Sequence, residues 1–195
     1  MGKSYHLKML ILTGLFAAIT VIFARISFTT PLSESVPFTL SIIAVTLTGA
    51  VLGSRYGALA MIVYLLLGIA GAPVFAQGTS GIGIIVGKTG GYLIGYVVAA
   101  FVVGWIVEQA AKRDKLSYGW FLFANLVGLF FIYLLGAFQL KLVLSLTWGK
   151  ALAAGVYPFV PFDIIKMMIS AYLGSILVSR LISAGQLSFG KSHTV

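Results

Sequence analysis

Of 195 residues, 60% are hydrophobic and 9% charged, against about 25% charged in an ordinary soluble domain. That much apolar surface exceeds what a core absorbs, so the chain reads as a polytopic membrane protein. The net charge of +9 does not point to nucleic acid, because the cations sit in termini and short loops between apolar runs and form no basic stripe.

Lys3 and Lys8 precede an apolar run, as in a secretion signal. No cleavage site is evident and more apolar runs follow, so this run is expected to remain as the first membrane helix. A spanning helix takes about 20 residues. Six are expected, over 8–28, 38–53, 56–70, 91–107, 118–144 and 161–183; the fifth is long enough to tilt or protrude. The linker "EQAAKRDKLS" carries Lys112, Arg113 and Lys115 and is assigned to the cytoplasm. Alternation puts Lys3, Lys8, Arg55, Arg180 and Lys191 on the same side, which makes eight of the 13 basic residues cytoplasmic and places both termini inside. The expected fold is all-α: a six-helix integral membrane domain over 1–195, with no polar linker and no internal repeat.

The outer loops are not plain hydrophilic linkers. "TTPLSESVPF", "GAPVFAQGTSGIGIIVGKTGG" and "TWGKALAAGVYP" are apolar and rich in Gly and Pro. Backbone of this kind is expected to fold back on the protein as a cover over a cavity, since irregular backbone at membrane depth must lie against protein or water. "GIGIIVGKT" mimics a Walker loop, but the pattern needs glycine where Ile82 stands. A nucleotide site is therefore rejected, and the glycines are read as conformational.

The stretch "GVYPFVPFDIIKMMISAYLG" places Asp163 and Lys166 three residues apart in an otherwise apolar run. Pro161 suits a first helical turn, and there the dipole favours the Asp163 anion. Lys166 and Ser170 share its face. A capped helix start, with Lys166 reaching for water, is the plain alternative. An ionisable pair inside a span is by default a functional site, and an acceptor beside a donor suits a ligand that both donates and accepts hydrogen bonds. A nucleophilic Ser170–Lys166 dyad is also possible by spacing, but no second acid, histidine or oxyanion motif accompanies it, and no catalytic residue is assigned. Without cysteine there is no thiol chemistry. His6 and His193 lie near opposite ends and make no metal site. Gln139 is expected to face the cavity and Lys141 the interface. Arg25 is expected to snorkel or pair with Glu34. Gly14 and Ala18, four apart, suit close helix approach, either within the fold or toward a partner.

The order "VPFTL", "GAPVFAQGTSGIGIIVGKTGGYLIGY", "GAFQL" and "YPFVPFDIIK" across the spans resembles the BioY family, the biotin-specific substrate-binding (S) components of energy-coupling-factor (ECF) transporters. The resemblance covers nearly the whole chain. It implies an outward-facing biotin pocket in which Asp163 and Lys166 contact the ligand. It also implies that Gln77, Gly78, Thr79 and Gly81 line the site, with Gly90, Gly91 and Tyr92 behind them and Val36 and Phe38 in a lid. Phe75, Phe38 and Tyr92 are candidates to pack on the ring. Ser41, Lys88 and Phe162 stand where the family usually has Gln, Pro and Gly.

The resemblance implies biotin uptake across a bacterial or archaeal cytoplasmic membrane, with biotin as transported ligand and no cofactor. It implies partners too: a transmembrane coupling subunit and two ATPase subunits, for which the small face of the first helix around Gly14 and Ala18 is the candidate docking surface. The alternatives are an S component for another vitamin and a partner-independent, ion-coupled carrier or channel.

Overall fold

The structure is a computed structural model that describes residues 3–29, 35–187 and 189. In chain order it contains α1 (Lys3–Arg25), β1 (Ser27–Phe28), β2 (Phe38–Thr39), α2 (Ser41–Ile69), a 3-10 turn (Ala76–Gly78), α3 (Ile82–Val86), α4 (Gly90–Lys112), α5 (Tyr118–Val143), α6 (Trp148–Gly155) and α7 (Val160–Ser183). Five of these helices, α1, α2, α4, α5 and α7, are long and apolar enough to cross a membrane.

The expected second and third spans meet in α2, which is not one straight rod. Gly53 has φ 78° and ψ −179°, outside the helical region. In a continuous helix, residues 49 and 57 would be about 12 Å apart. Here a Cβ on Gly57 would lie 2.9 Å from Gly49 Cα. The chain therefore reverses at Gly53, and α2 is a helical hairpin with arms over 41–52 and 54–69. The two arms and the four other long helices make six membrane-embedded segments, as expected, with the turn between the second and third reduced to one glycine.

Polar contacts sort the bundle into two ends. At one end, His6 Nδ1 meets Tyr56 Oη at 2.7 Å, Lys8 Nζ donates to the Gln186 carbonyl at 3.2 Å, and Ser54 N donates to Glu108 Oε1 at 2.7 Å. The start of α1, the Gly53 turn, the end of α4 and the residues after α7 thus lie together. At the other end lie the β1–β2 ribbon, which pairs Ser27 with Thr39 and Phe28 with Phe38, the 3-10 turn, α3 and α6. The basic loop at 112–115 belongs to the first end, which is the cytoplasmic one by the positive-inside rule.

The central helix is α4, packed between α2 and α5. Its small residues allow backbone contact: a Cβ on Gly104 would stand 2.4 Å from Gly53 C and Ser54 N. Lipid-facing positions carry large apolar side chains, such as Ile11, Phe101, Phe130 and Ile169. Most core positions hold Ala, Val, Met or aromatics.

Candidate ligand-binding site

A cavity of about 180 Å³ lies at the loop-rich end. Its walls come from the β2 segment, the 3-10 turn and residues of α2, α3, α4, α5, α6 and α7. Pro161 near the start of α7 places Asp163 in that helix's first turn. From there the carboxylate points into the bundle: Asp163 is 1% exposed and Lys166 9%.

The buried pair is closely held. Lys166 Nζ lies 2.8 Å from Asp163 Oδ1 and donates to the Thr39 carbonyl at 2.7 Å. Tyr133 Oη, from α5, donates to Asp163 Oδ2 at 2.6 Å. An ammonium has three donors, and a carboxylate offers about four lone-pair sites. The pair thus keeps one donor and about two acceptor positions beyond its protein partners. A second polar group stands beside it: Tyr96 Oη meets Ser41 Oγ at 2.6 Å, and Ser41 Oγ meets Thr39 Oγ1 at 2.6 Å. Tyr92 Oη is committed to the Gly155 carbonyl at 2.8 Å, so that ring offers the cavity an apolar flank.

Several sequence candidates come together around this cavity. Asp163, Lys166, Gln77, Thr79, Phe75 and Tyr92 all line it, as do Val36 and Lys88. Gln77 adopts φ 56°, and its N–H donates to Ser27 Oγ at 2.8 Å, which ties the 3-10 turn to the β ribbon.

Other candidates sit elsewhere. Gly78, Gly81, Gly91 and Phe38 are not among the lining residues. Gly78 faces the Arg25 guanidinium, Gly91 packs on the Leu135 carbonyl of α5, and Gly81 has φ 96° ahead of α3. Phe38 is held in an aromatic stack, 5.3 Å from Phe28 and 4.3 Å from Phe159. Gln139 does not face the cavity. Its Nε2 donates to the Ile85 and Gly87 carbonyls at 2.7 and 2.8 Å, because the end of α3 leaves carbonyls that need a donor in an apolar setting. Lys141 Nζ lies 5.4 Å over the Trp148 ring. Glu34, the expected partner of Arg25, lies outside the described residues.

The sequence reading missed Tyr96, Tyr133 and Thr39. Tyr96 had a signal, because it follows Tyr92 by one helical turn and shares its face. Tyr133 sits in "FFIYLLG", where only its hydroxyl distinguishes it. Thr39 acts through its main-chain carbonyl, which no residue type announces. Ser170 pairs with Thr46 at 2.7 Å, and Lys166 is engaged by Asp163 and Thr39, so the Ser–Lys dyad is not formed.

Comparison with known proteins agrees with this architecture. A solved structure of the S-component for biotin from an ECF-type ABC transporter superposes with a TM-score of 0.83 at 23% identity, covering 92% of this chain and 95% of that one. That likeness carries the fold. A biotin transporter BioY from Thermotoga maritima is 42% identical over 86% of this chain and 94% of its own. One from Rhodobacter capsulatus is 39% identical over 88% of this chain and 91% of its own. The model of the BioY family matches residues 1–183, a span that includes every helix contributing to the cavity. On that match and those identities, this multi-pass membrane protein belongs to the BioY family.

Proposed function

We propose that the chain is a biotin-binding S component that takes up the vitamin across a bacterial or archaeal cytoplasmic membrane. The observation that carries this reading is the buried Asp163–Lys166 pair facing a cavity at the end opposite the basic loop. Biotin presents two ureido N–H donors, one carbonyl acceptor, an apolar bicycle and a carboxylate tail. The acceptor sites left on Asp163 suit the N–H donors, and charge-assisted bonds are the strong ones. The remaining Lys166 donor suits the ureido oxygen or the tail. Phe75 and Tyr92 flank the apolar body, and Gln77 and Thr79 close the site from the loop.

Residues 1–195 act as one binding unit in this reading, and no residue has a catalytic role. Energy comes from an ECF module made of a coupling membrane subunit and two ATPase subunits. Gly14 and Ala18 are the docking face: both are exposed on α1, and a Cβ on Gly14 would meet nothing within 4 Å. Thr13 and Ala17, beside them, are buried in the bundle and serve internal packing.

Equilibrium binding of biotin to the purified protein in detergent tests the reading. Asp163→Asn and Lys166→Ala each leave a buried charge uncompensated, at a cost of about 3–5 kcal/mol. Affinity is expected to fall more than a hundredfold in both. Undiminished binding in both variants reduces the pair to a helix-start feature. A folded wild type that ignores biotin and binds another vitamin moves the assignment to that substrate.

A further inference from the structure

Three hydroxyls meet beside the cavity. Ser41 Oγ lies 2.6 Å from both Tyr96 Oη and Thr39 Oγ1, so the serine links the other two hydroxyls in a chain. Each hydroxyl has a single hydrogen to donate. As the middle member, Ser41 donates to one neighbour and accepts from the other. Ser41 is 1% exposed and is the first residue of α2, separated from β2 by Leu40 alone. It does not line the cavity, although Thr39 and Tyr96 do.

The same Thr39 supplies, through its main chain, the carbonyl that receives Lys166 Nζ at 2.7 Å. Ribbon β2 is only two residues long and pairs with an equally short β1. Such a strand has few main-chain bonds of its own to hold its carbonyls. The side chain of Thr39 is therefore the anchor that fixes where its carbonyl points. That carbonyl, with Asp163 Oδ1, decides where the ammonium sits.

We propose that Ser41 is a positioning residue for ligand binding: it bridges the Thr39 and Tyr96 hydroxyls, and that bridge aims the Thr39 carbonyl at Lys166 without Ser41 touching the ligand. The consequence for the ligand rests on the biotin reading above. The consequence for Lys166 does not, so the two are separable by experiment.

The test uses Ser41→Ala, Tyr96→Phe and the double variant, each in the full-length protein with its melting temperature recorded. In ligand-free protein, the rate of reductive methylation at Lys166 is followed by mass spectrometry, with exposed Lys150 as internal reference. One neutral hydrogen bond contributes about 0.5–1.5 kcal/mol, so Ser41→Ala is expected to raise Lys166 labelling relative to Lys150 by about two- to twelvefold. Because both bonds run through Ser41, the double variant should label no faster than Ser41→Ala alone. Biotin affinity should fall by a similar factor in Ser41→Ala. Unchanged Lys166 labelling in a folded Ser41→Ala protein overturns the proposal, as do effects that multiply in the double variant. If the wild type does not bind biotin while labelling responds as expected, the substrate assignment fails and the positioning role stands.

Discussion

At the scale of single residues, the site is organised by how few charges the membrane interior admits. Asp163 sits among apolar side chains with two protein partners, Lys166 and Tyr133. The Tyr133 hydroxyl is a neutral donor to an anion, a bond of about 1.5–3 kcal/mol. Tyr133→Phe keeps the ring and its packing but removes that donor, so Asp163 is held by Lys166 alone. Biotin affinity is expected to drop by about tenfold or more, read by titration calorimetry, with little change in melting temperature beyond the lost bond. An unchanged affinity would mean that Lys166 suffices to place the carboxylate. Asp163 and Lys166 were legible because charge in a greasy run is rare. Thr39 was not, because its contribution is a carbonyl that every residue carries.

At the scale of elements, the most demanding feature is the reversal at Gly53. The φ 78°, ψ −179° backbone of Gly53 is essentially reserved for glycine and costs a residue with a Cβ about 1–3 kcal/mol, and a Cβ there would also lie 2.3 Å from Glu108 Oε1. That same carboxylate accepts from Ser54 N at 2.7 Å, so it satisfies an unpaired N–H at the buried N-terminus of the second arm of α2. Gly53→Ala should therefore lower the melting temperature of the detergent-solubilised protein by several degrees, and Glu108 must give way for the variant to fold at all. A variant as stable as wild type would show that the turn has room to shift. The outer loops follow a related rule: Gln139 donates twice to carbonyls at the end of α3, because irregular backbone away from water needs such partners.

At the scale of the whole molecule, the arrangement is a sidedness. The cavity lies at the loop-rich end, and both ends of the described chain meet at the basic end through Lys8 and Gln186. The chain contains no cysteine, so single cysteines report topology without background. A membrane-impermeant maleimide should label Lys150→Cys in intact cells, and Arg113→Cys in the basic loop only after permeabilisation; the reverse pattern would invert the assignment. The docking face is tested in the same cells. Gly14→Leu should leave biotin binding intact, because nothing packs on Gly14 within the bundle, while uptake with the ECF module falls at least tenfold. Loss of binding and uptake together would show that α1 matters for the fold and not for a partner.

By itself the sequence determined the class of molecule, the number of segments, the sidedness and the charged pair, because hydrophobic length, loop charge and an isolated ion pair are properties of consecutive residues. Only the tertiary structure decided that two of the spans join through a single glycine, that Gln139 serves a loop instead of the cavity, and that Thr39, Tyr96 and Tyr133 complete the site. Those facts depend on which helices become neighbours and on main-chain carbonyls. Apart from the one-turn spacing of Tyr92 and Tyr96, neither leaves a mark on the order of side chains along the chain.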